Sequence, residues 1–202
     1  MEALSTALRL TGRDALGLLH RTTSQALADL ARGEARTTLF CDFRGRVEHR
    51  ALVVRTSDDA VWLLRADAPG APLAAAVDRS IFRDDVVIED RSGELAFVCA
   101  RAPLGVHGVI EERDGVPRVV AVGDGTLLAC DGREPLTEAD RIAHRLPRAG
   151  HEVTPEANPF ECGLGAAVHL AKGCFTGQEA LQRLLPGEAT LGEVHGGAEP
   201  AL

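Results

Sequence analysis

The sequence predicts an α+β fold of antiparallel sheets with helices set among the strands. Three observations lead there. Short β-branched or apolar runs recur, several joined by tight Gly- or Asp-containing turns, as antiparallel pairing requires. Helical groupings stand between some of these runs but do not alternate with them one for one, which disfavours a parallel, doubly wound sheet. Hydrophobic residues make up 45% of the 202-residue chain, enough to fill one large core or two small ones.

Taken in order, Leu8-Arg9-Leu10 reads as a strand closed by Thr11-Gly12, and Ala15, Leu16, Leu18 and Leu19 group as on a helix. Thr22, Thr23 and Ser24 are N-cap residue types, so a second helix is expected through Ala26, Leu27, Leu30 and Ala31, stopped by Gly33. Thr37 to Phe43, Val47 to Thr56 and Val61 to Leu64, separated by Arg44-Gly45 and Ser57-Asp58-Asp59, predict a three-strand meander. Pro69-Gly70-Ala71-Pro72 opens a helix over 73–79. Val86-Val87-Ile88 and Leu95 to Ala100 are strands about Ser92-Gly93, while Pro103 to Arg113 is open between a helix and irregular chain. Val116 to Val122 and Thr126 to Cys130 pair about Gly123-Asp124-Gly125. A short helix begins near Thr137 and runs to about Arg145. Pro147, Gly150, Pro155 and Pro159 then mark an irregular connection, with one helical turn over Phe160 to Leu164. Gly177 to Leu185 reads as an amphipathic helix ended by Pro186-Gly187, before a Gly-rich tail expected to fray.

Composition excludes several classes. A net charge of -8 repels phosphate backbones, and six Phe, one Trp and no Tyr supply few rings on which bases could stack. Direct nucleic-acid binding is therefore not expected. Residues 1–10 lack the basic start and apolar middle of a signal peptide, and no run approaches the ~20 apolar residues that span a bilayer. A cytosolic, membrane-free protein is expected. The five cysteines, Cys41, Cys99, Cys130, Cys162 and Cys174, are widely spread with no Cys-x-x-Cys pair, and the seven histidines show no paired spacing. No metal site is expected, and Cys41, Cys99 and Cys130 read as small buried residues.

The densest unusual segment is Lys172-Gly173-Cys174-Phe175-Thr176-Gly177-Gln178-Glu179. Two glycines allow a sharp turn and a close backbone approach, and a thiol beside a lysine at a helix start is a candidate for a lowered pKa. Lys172 precedes the glycines, so this is not a phosphate-binding Walker loop. A plain loop leading into an amphipathic helix would read the same way.

With Arg183 four residues after Glu179, the segment resembles the signature of the YgfZ family, within the superfamily of glycine-cleavage T proteins. Arg141-Ile142-Ala143-His144-Arg145-Leu146-Pro147 is similar to the family's Arg-Ile-x-x-Gly-x-Pro, with Arg145 where glycine is expected. Leu16 to Ser24 and Leu39 to Val47 are similar to its opening helix and strand–turn. The resemblance implies ferredoxin-like α+β lobes, here 1–90 and 91–202, packed as one folate-binding unit. It also implies a C-terminal β-barrel, which this chain is expected to lack, so that either a homodimer or partner chain replaces it or the pocket works without that wall. Tetrahydrofolate or a related folate is the implied ligand, with Lys172, Gln178, Glu179, Arg141 and Arg183 binding it and Cys174 as a redox or iron–sulfur-related thiol.

The first function implied is support of iron–sulfur cluster assembly or repair, with iron–sulfur client enzymes, including tRNA-modifying ones, as partners and no catalysis by this chain. A T-protein-like aminomethyltransferase is the alternative. The resemblance places that branch's acid pair at His49 and Arg50, with Glu48 one position off and, on a regular strand, on the opposite face. This disfavours aminomethyl transfer. A third reading is a ligand-free module that docks on a partner.

Overall fold

The computed structural model describes residues 5–92, 98–101, 110–113, 116–121, 126–129 and 136–185. The elements are β1 (Thr6–Thr11), α1 (Ala15–Thr22), β2 (Ala35–Cys41), β3 (Val47–Arg55), β4 (Ala60–Arg65), α2 (Gly70–Asp78), β5 (Val87–Asp90), β6 (Val98–Arg101), β7 (Ile110–Arg113), β8 (Val116–Ala121), β9 (Thr126–Ala129), α3 (Glu138–Ala143) and α4 (Gln178–Leu184). A 3-10 turn spans Gly165–Ala167. The tail 192–202, the Gly123-Asp124-Gly125 turn, Cys130 and residues 103–109 of the Pro103–Arg113 stretch lie outside the described residues.

Two antiparallel sheets result, ordered β2-β3-β4-β1-β5 and β6-β9-β8-β7. The expected meander is β2-β3-β4, and the expected pair after Val116 is β8-β9. Strands β3-β4-β1-β5, with α1 and α2 as connections, have the ferredoxin-like order, widened at one edge by β2. Period-2 alternation turns Leu8, Leu10, Ala51, Val53, Val61 and Leu63 toward α1 and α2, where they meet Leu18, Leu19, Leu73 and Val77. Burying such a leucine contributes about 1.5–3 kcal/mol. Every residue of β4 is buried, so both of its faces are covered, as its unbroken apolar run requires.

One expected helix is absent. Residues after Ser24 form turns, because tertiary partners claim the groups that would build and cap a helix. Ser24 Oγ donates to the Ala167 carbonyl at 2.6 Å and accepts from the Leu39 amide, and its own amide donates to the Leu39 carbonyl. Thr23 Oγ1 bonds back to the Leu19 carbonyl, and His20 Nδ1 accepts from the amides of Leu27 and Ala28. Leu27 and Leu30 still reach the core. The turn expected over Phe160 to Leu164 does form, with the Cys162 amide on the Asn158 carbonyl and the Gly163 amide on Phe160, and a 3-10 turn follows it at Gly165–Ala167.

The chain from 136 to 185 returns to the first sheet. Ala167, Val168, Leu170, Phe175 and Leu181 pack on Leu39, Cys41 and Val47 of β2 and β3. The segment 172–179, assigned by sequence to the second lobe, is thus built onto the hairpin of the first. Helix α3 begins with the expected Thr137, in a reciprocal capping box with Asp140. It ends in a Schellman motif, with the Leu146 amide on the Arg141 carbonyl and the Arg145 amide on Ile142. That motif needs a left-handed residue after the cap, and Arg145 takes it at φ 53°. Arg145 is exposed and does not line either of the two cavities described below. Among the described residues no helix is long and apolar enough to cross a membrane.

Candidate functional site

A cavity of about 590 Å³ opens between the start of β3 and the irregular segment 149–155. Val47, Ala68, Pro69, Pro72, Val153 and Pro155 supply apolar wall, and the polar lining includes Arg46, Glu48, His49, Arg50, Arg65 and Arg79. A smaller cavity of about 330 Å³ lies against it and shares Asp42, Glu48 and Arg79.

The hairpin between β2 and β3 positions this lining. Asp42 Oδ1 accepts from the amides of Arg44 and Arg46 and so closes the turn at Gly45, which has φ 76°. The pairing then slips: Phe40 faces His49, but Cys41 faces Val47. Glu48 is the extra residue of a β-bulge. Alternation fails at that point, so Glu48 lines the cavity together with His49 rather than pointing away from it. This corrects the expectation drawn from a regular strand. No ion pair or hydrogen bond holds the Glu48 carboxylate among the described residues.

A buried charge network backs the cavity. Asp67 Oδ2 accepts from Arg50 at 3.0 Å and from the Ala149 amide at 2.9 Å, and its Oδ1 accepts from Arg65 at 3.1 Å. Arg50 also donates to the Pro147 carbonyl at 2.7 Å. The network ties β3 and β4 to the loop that forms the opposite wall. Asp67 is held below the usual carboxylate range by Arg50 and Arg65, against the opposing effect of its burial. His49 stacks edge-on to Phe40. Burial, then the charges of Arg65 and Arg79, lower its pKa to about 4, so the imidazole is neutral near pH 7.

The residues singled out by sequence lie elsewhere. Lys172 Nζ donates to the His20 carbonyl at the end of α1 and sits 4.9 Å above the Phe175 ring, and burial lowers its pKa to about 8. Gln178 Nε2 donates to the Leu170 carbonyl at 2.6 Å. Glu179 and Arg183 are 87% and 81% exposed and face each other loosely at 3.9 Å. Arg141 is held by Glu138, Glu152 and the Leu146 carbonyl. None of these five lines the larger cavity; of the signature, Thr176 lines the smaller one. Cys174 is exposed, whereas Cys41 and Cys162 are buried, and burial pushes the Cys41 thiol up to about 12. Among the described residues no cluster of His, Cys, Asp or Glu could hold a metal.

The signature glycine has a structural task. Gly177 (φ 86°) lies against the hairpin turn, and a Cβ there would fall 2.4 Å from the Asp42 carbonyl oxygen and 3.0 Å from Gly45 Cα. The motif docks its helix onto the hairpin that shapes the cavity.

Comparison with known proteins gives the same architecture a wider setting. The crystal structure of glycine cleavage system aminomethyltransferase T from Bartonella henselae superimposes with a TM-score of 0.67 at 16% identity, over 89% of this chain and 60% of that one. The chain has the fold of an aminomethyltransferase T. Aminomethyltransferases of Symbiobacterium thermophilum and Exiguobacterium sibiricum are each 26% identical to it across 86% of its length, and that of Streptomyces avermitilis is 28% identical. The chain spans about 60% of the length of these relatives. No protein-family profile matches. These likenesses are to aminomethyltransferases; they lend no support to the YgfZ branch, to iron–sulfur assembly or to tRNA modification.

Proposed function

We propose that this chain binds a reduced folate in the larger cavity and takes part in transfer of an aminomethyl carbon to it. The bulge at Glu48 carries the reading, because it supplies the one thing the sequence seemed to lack, a carboxylate at the cavity beside position 49. Aminomethyltransferase relatives support the same direction. Glu48 would meet the folate's reactive nitrogen, neutral His49 would donate or accept one hydrogen bond, and the apolar walls would take the flat ring.

Titration calorimetry of the full chain with tetrahydrofolate tests binding: saturating heat is expected, and none at millimolar folate would sink the proposal. Given binding, Glu48→Gln should lower one-carbon transfer about 10²-fold or more while changing folate affinity little.

A second reading rests on the exposure of Cys174. Here the chain binds folate without turnover and serves iron–sulfur enzymes through that thiol. Folate binding with no transfer activity, and loss of client-enzyme support in Cys174→Ser, would favour it.

A further inference from the structure

The larger cavity is unevenly charged. Four guanidinium groups line it, Arg46, Arg50, Arg65 and Arg79, against the carboxylates of Asp42 and Glu48. Asp67 behind the wall engages Arg50 and Arg65, and Arg65 is only 6% exposed on its side chain. The Asp42 carboxylate is occupied by the amides of its own turn. The guanidinium groups of Arg46 and Arg79 have no ion pair or hydrogen bond among the described residues. They enter the cavity from different elements, Arg46 from the β2–β3 turn and Arg79 from the residue that caps α2.

We infer that this side of the cavity is an oxyanion subsite, in which Arg79 and Arg46 receive a carboxylate or phosphate group next to His49. Planar guanidiniums pair with such oxyanions through two parallel hydrogen bonds, and at a partly enclosed wall the pairing is stronger than in water. The groups facing His49 agree. Its protonation is opposed by burial and by Arg65 and Arg79, and Asp42, Glu48, Arg46 and Arg50 complete the charged lining around it. An anion placed there offsets the arginines and lets His49 take a proton. The subsite would set specificity, favouring ligands whose anionic group reaches the middle of the cavity. It does not depend on folate being the occupant.

Two sources of the oxyanion are separable with p-aminobenzoylglutamate, which carries the folate tail without the pterin, and inorganic phosphate. Each is titrated into the full chain while the His49 ring protons are followed by NMR across pH. Saturating binding by either probe should raise the His49 midpoint by about one pH unit, and the probe that binds names the source. Arg79→Gln should weaken that binding about tenfold, roughly 1.4 kcal/mol, and Arg46→Gln should act in the same direction. Arg13→Gln, an exposed arginine outside the cavity, should change nothing. Failure of both probes at 10 mM, or binding indifferent to Arg79→Gln and Arg46→Gln, overturns the inference. Tetrahydrofolate is titrated separately: anion binding without folate binding upholds the subsite and refutes the folate proposal, and folate binding without anion binding does the reverse.

Discussion

The hairpin cavity and the segment Lys172 to Glu179 make opposite use of their polar residues. In the segment, Lys172 and Gln178 are spent on the fold, on the His20 and Leu170 carbonyls, and Gly177 gives the close approach to Asp42 and Gly45, while Cys174 and Glu179 stay exposed. In the cavity, polar groups are held ready but unspent. Glu48, Arg46 and Arg79 face open space, and the one tight network, around Asp67, orients arginines rather than closing the site. A motif that stands out in sequence can thus be scaffolding, while the chemistry sits on residues with no motif of their own.

The sharpest way to break the comparison is Asp67→Ala. It strands Arg50 and Arg65 without their counter-charge and frees the Ala149 amide. We expect a loss of about 3–5 kcal/mol, read from denaturant midpoints at constant m-value. Next comes Gly177→Ala, which must place a Cβ 2.4 Å from a carbonyl oxygen at φ 86°. A loss of about 2–3 kcal/mol is expected in thermal or denaturant unfolding. An unchanged stability would mean the segment is not scaffolding.

The pH dependence separates the cavity from the rest. His49 has its pKa lowered to about 4 in the folded chain, from an ordinary 6.5. Above pH 6.5 neither state is protonated there and stability is full. As pH falls toward 4 the unfolded chain takes the proton first, so stability declines by roughly 2–3 kcal/mol over that window. His20 is lowered as well and adds to the slope. Stability curves for the native chain and His49→Gln should converge as pH falls, the variant having the flatter slope.

Smaller effects sharpen the picture. Arg145→Gly should stabilise by about 1 kcal/mol, because glycine adopts the left-handed conformation at φ 53° without a Cβ penalty. A loss of stability there would show that the arginine makes a contact worth more than its strain. Glu179→Ala should stay within about 0.5 kcal/mol in the same assay, since its side chain is 87% exposed and its partner distant.

Much of the fold was legible locally. Leu8 to Leu10, the three runs from Thr37 to Leu64, and the pair about residue 123 announce their strands by composition and turn chemistry, which act over a few residues; the strands flanking residue 92 also form, but they join different sheets, β5 beside β1 and β6 beside β9, rather than each other. The Thr137 cap was legible for the same reason. The helix expected after Ser24 failed because its deciding partners, Leu39 and Ala167, are distant in sequence.

The site divided along the same line. Sequence alone determined an α+β chain of antiparallel strands, an acidic surface, and a Gly-containing segment poised before a helix, all consequences of side-chain type and short-range spacing. Only the tertiary structure decided that Glu48 lines the cavity, since a bulge is set by how two strands register and not by the residues of one. It also decided where each paired arginine is held. Arg141 and Arg50 are alike in sequence, yet one is clamped between Glu138 and Glu152 and the other is turned to a cavity by Asp67. Charge pairing depends on neighbours in space: Glu138 is three residues from Arg141, but Glu152 lies 11 residues from Arg141 and Asp67 lies 17 from Arg50 along the chain.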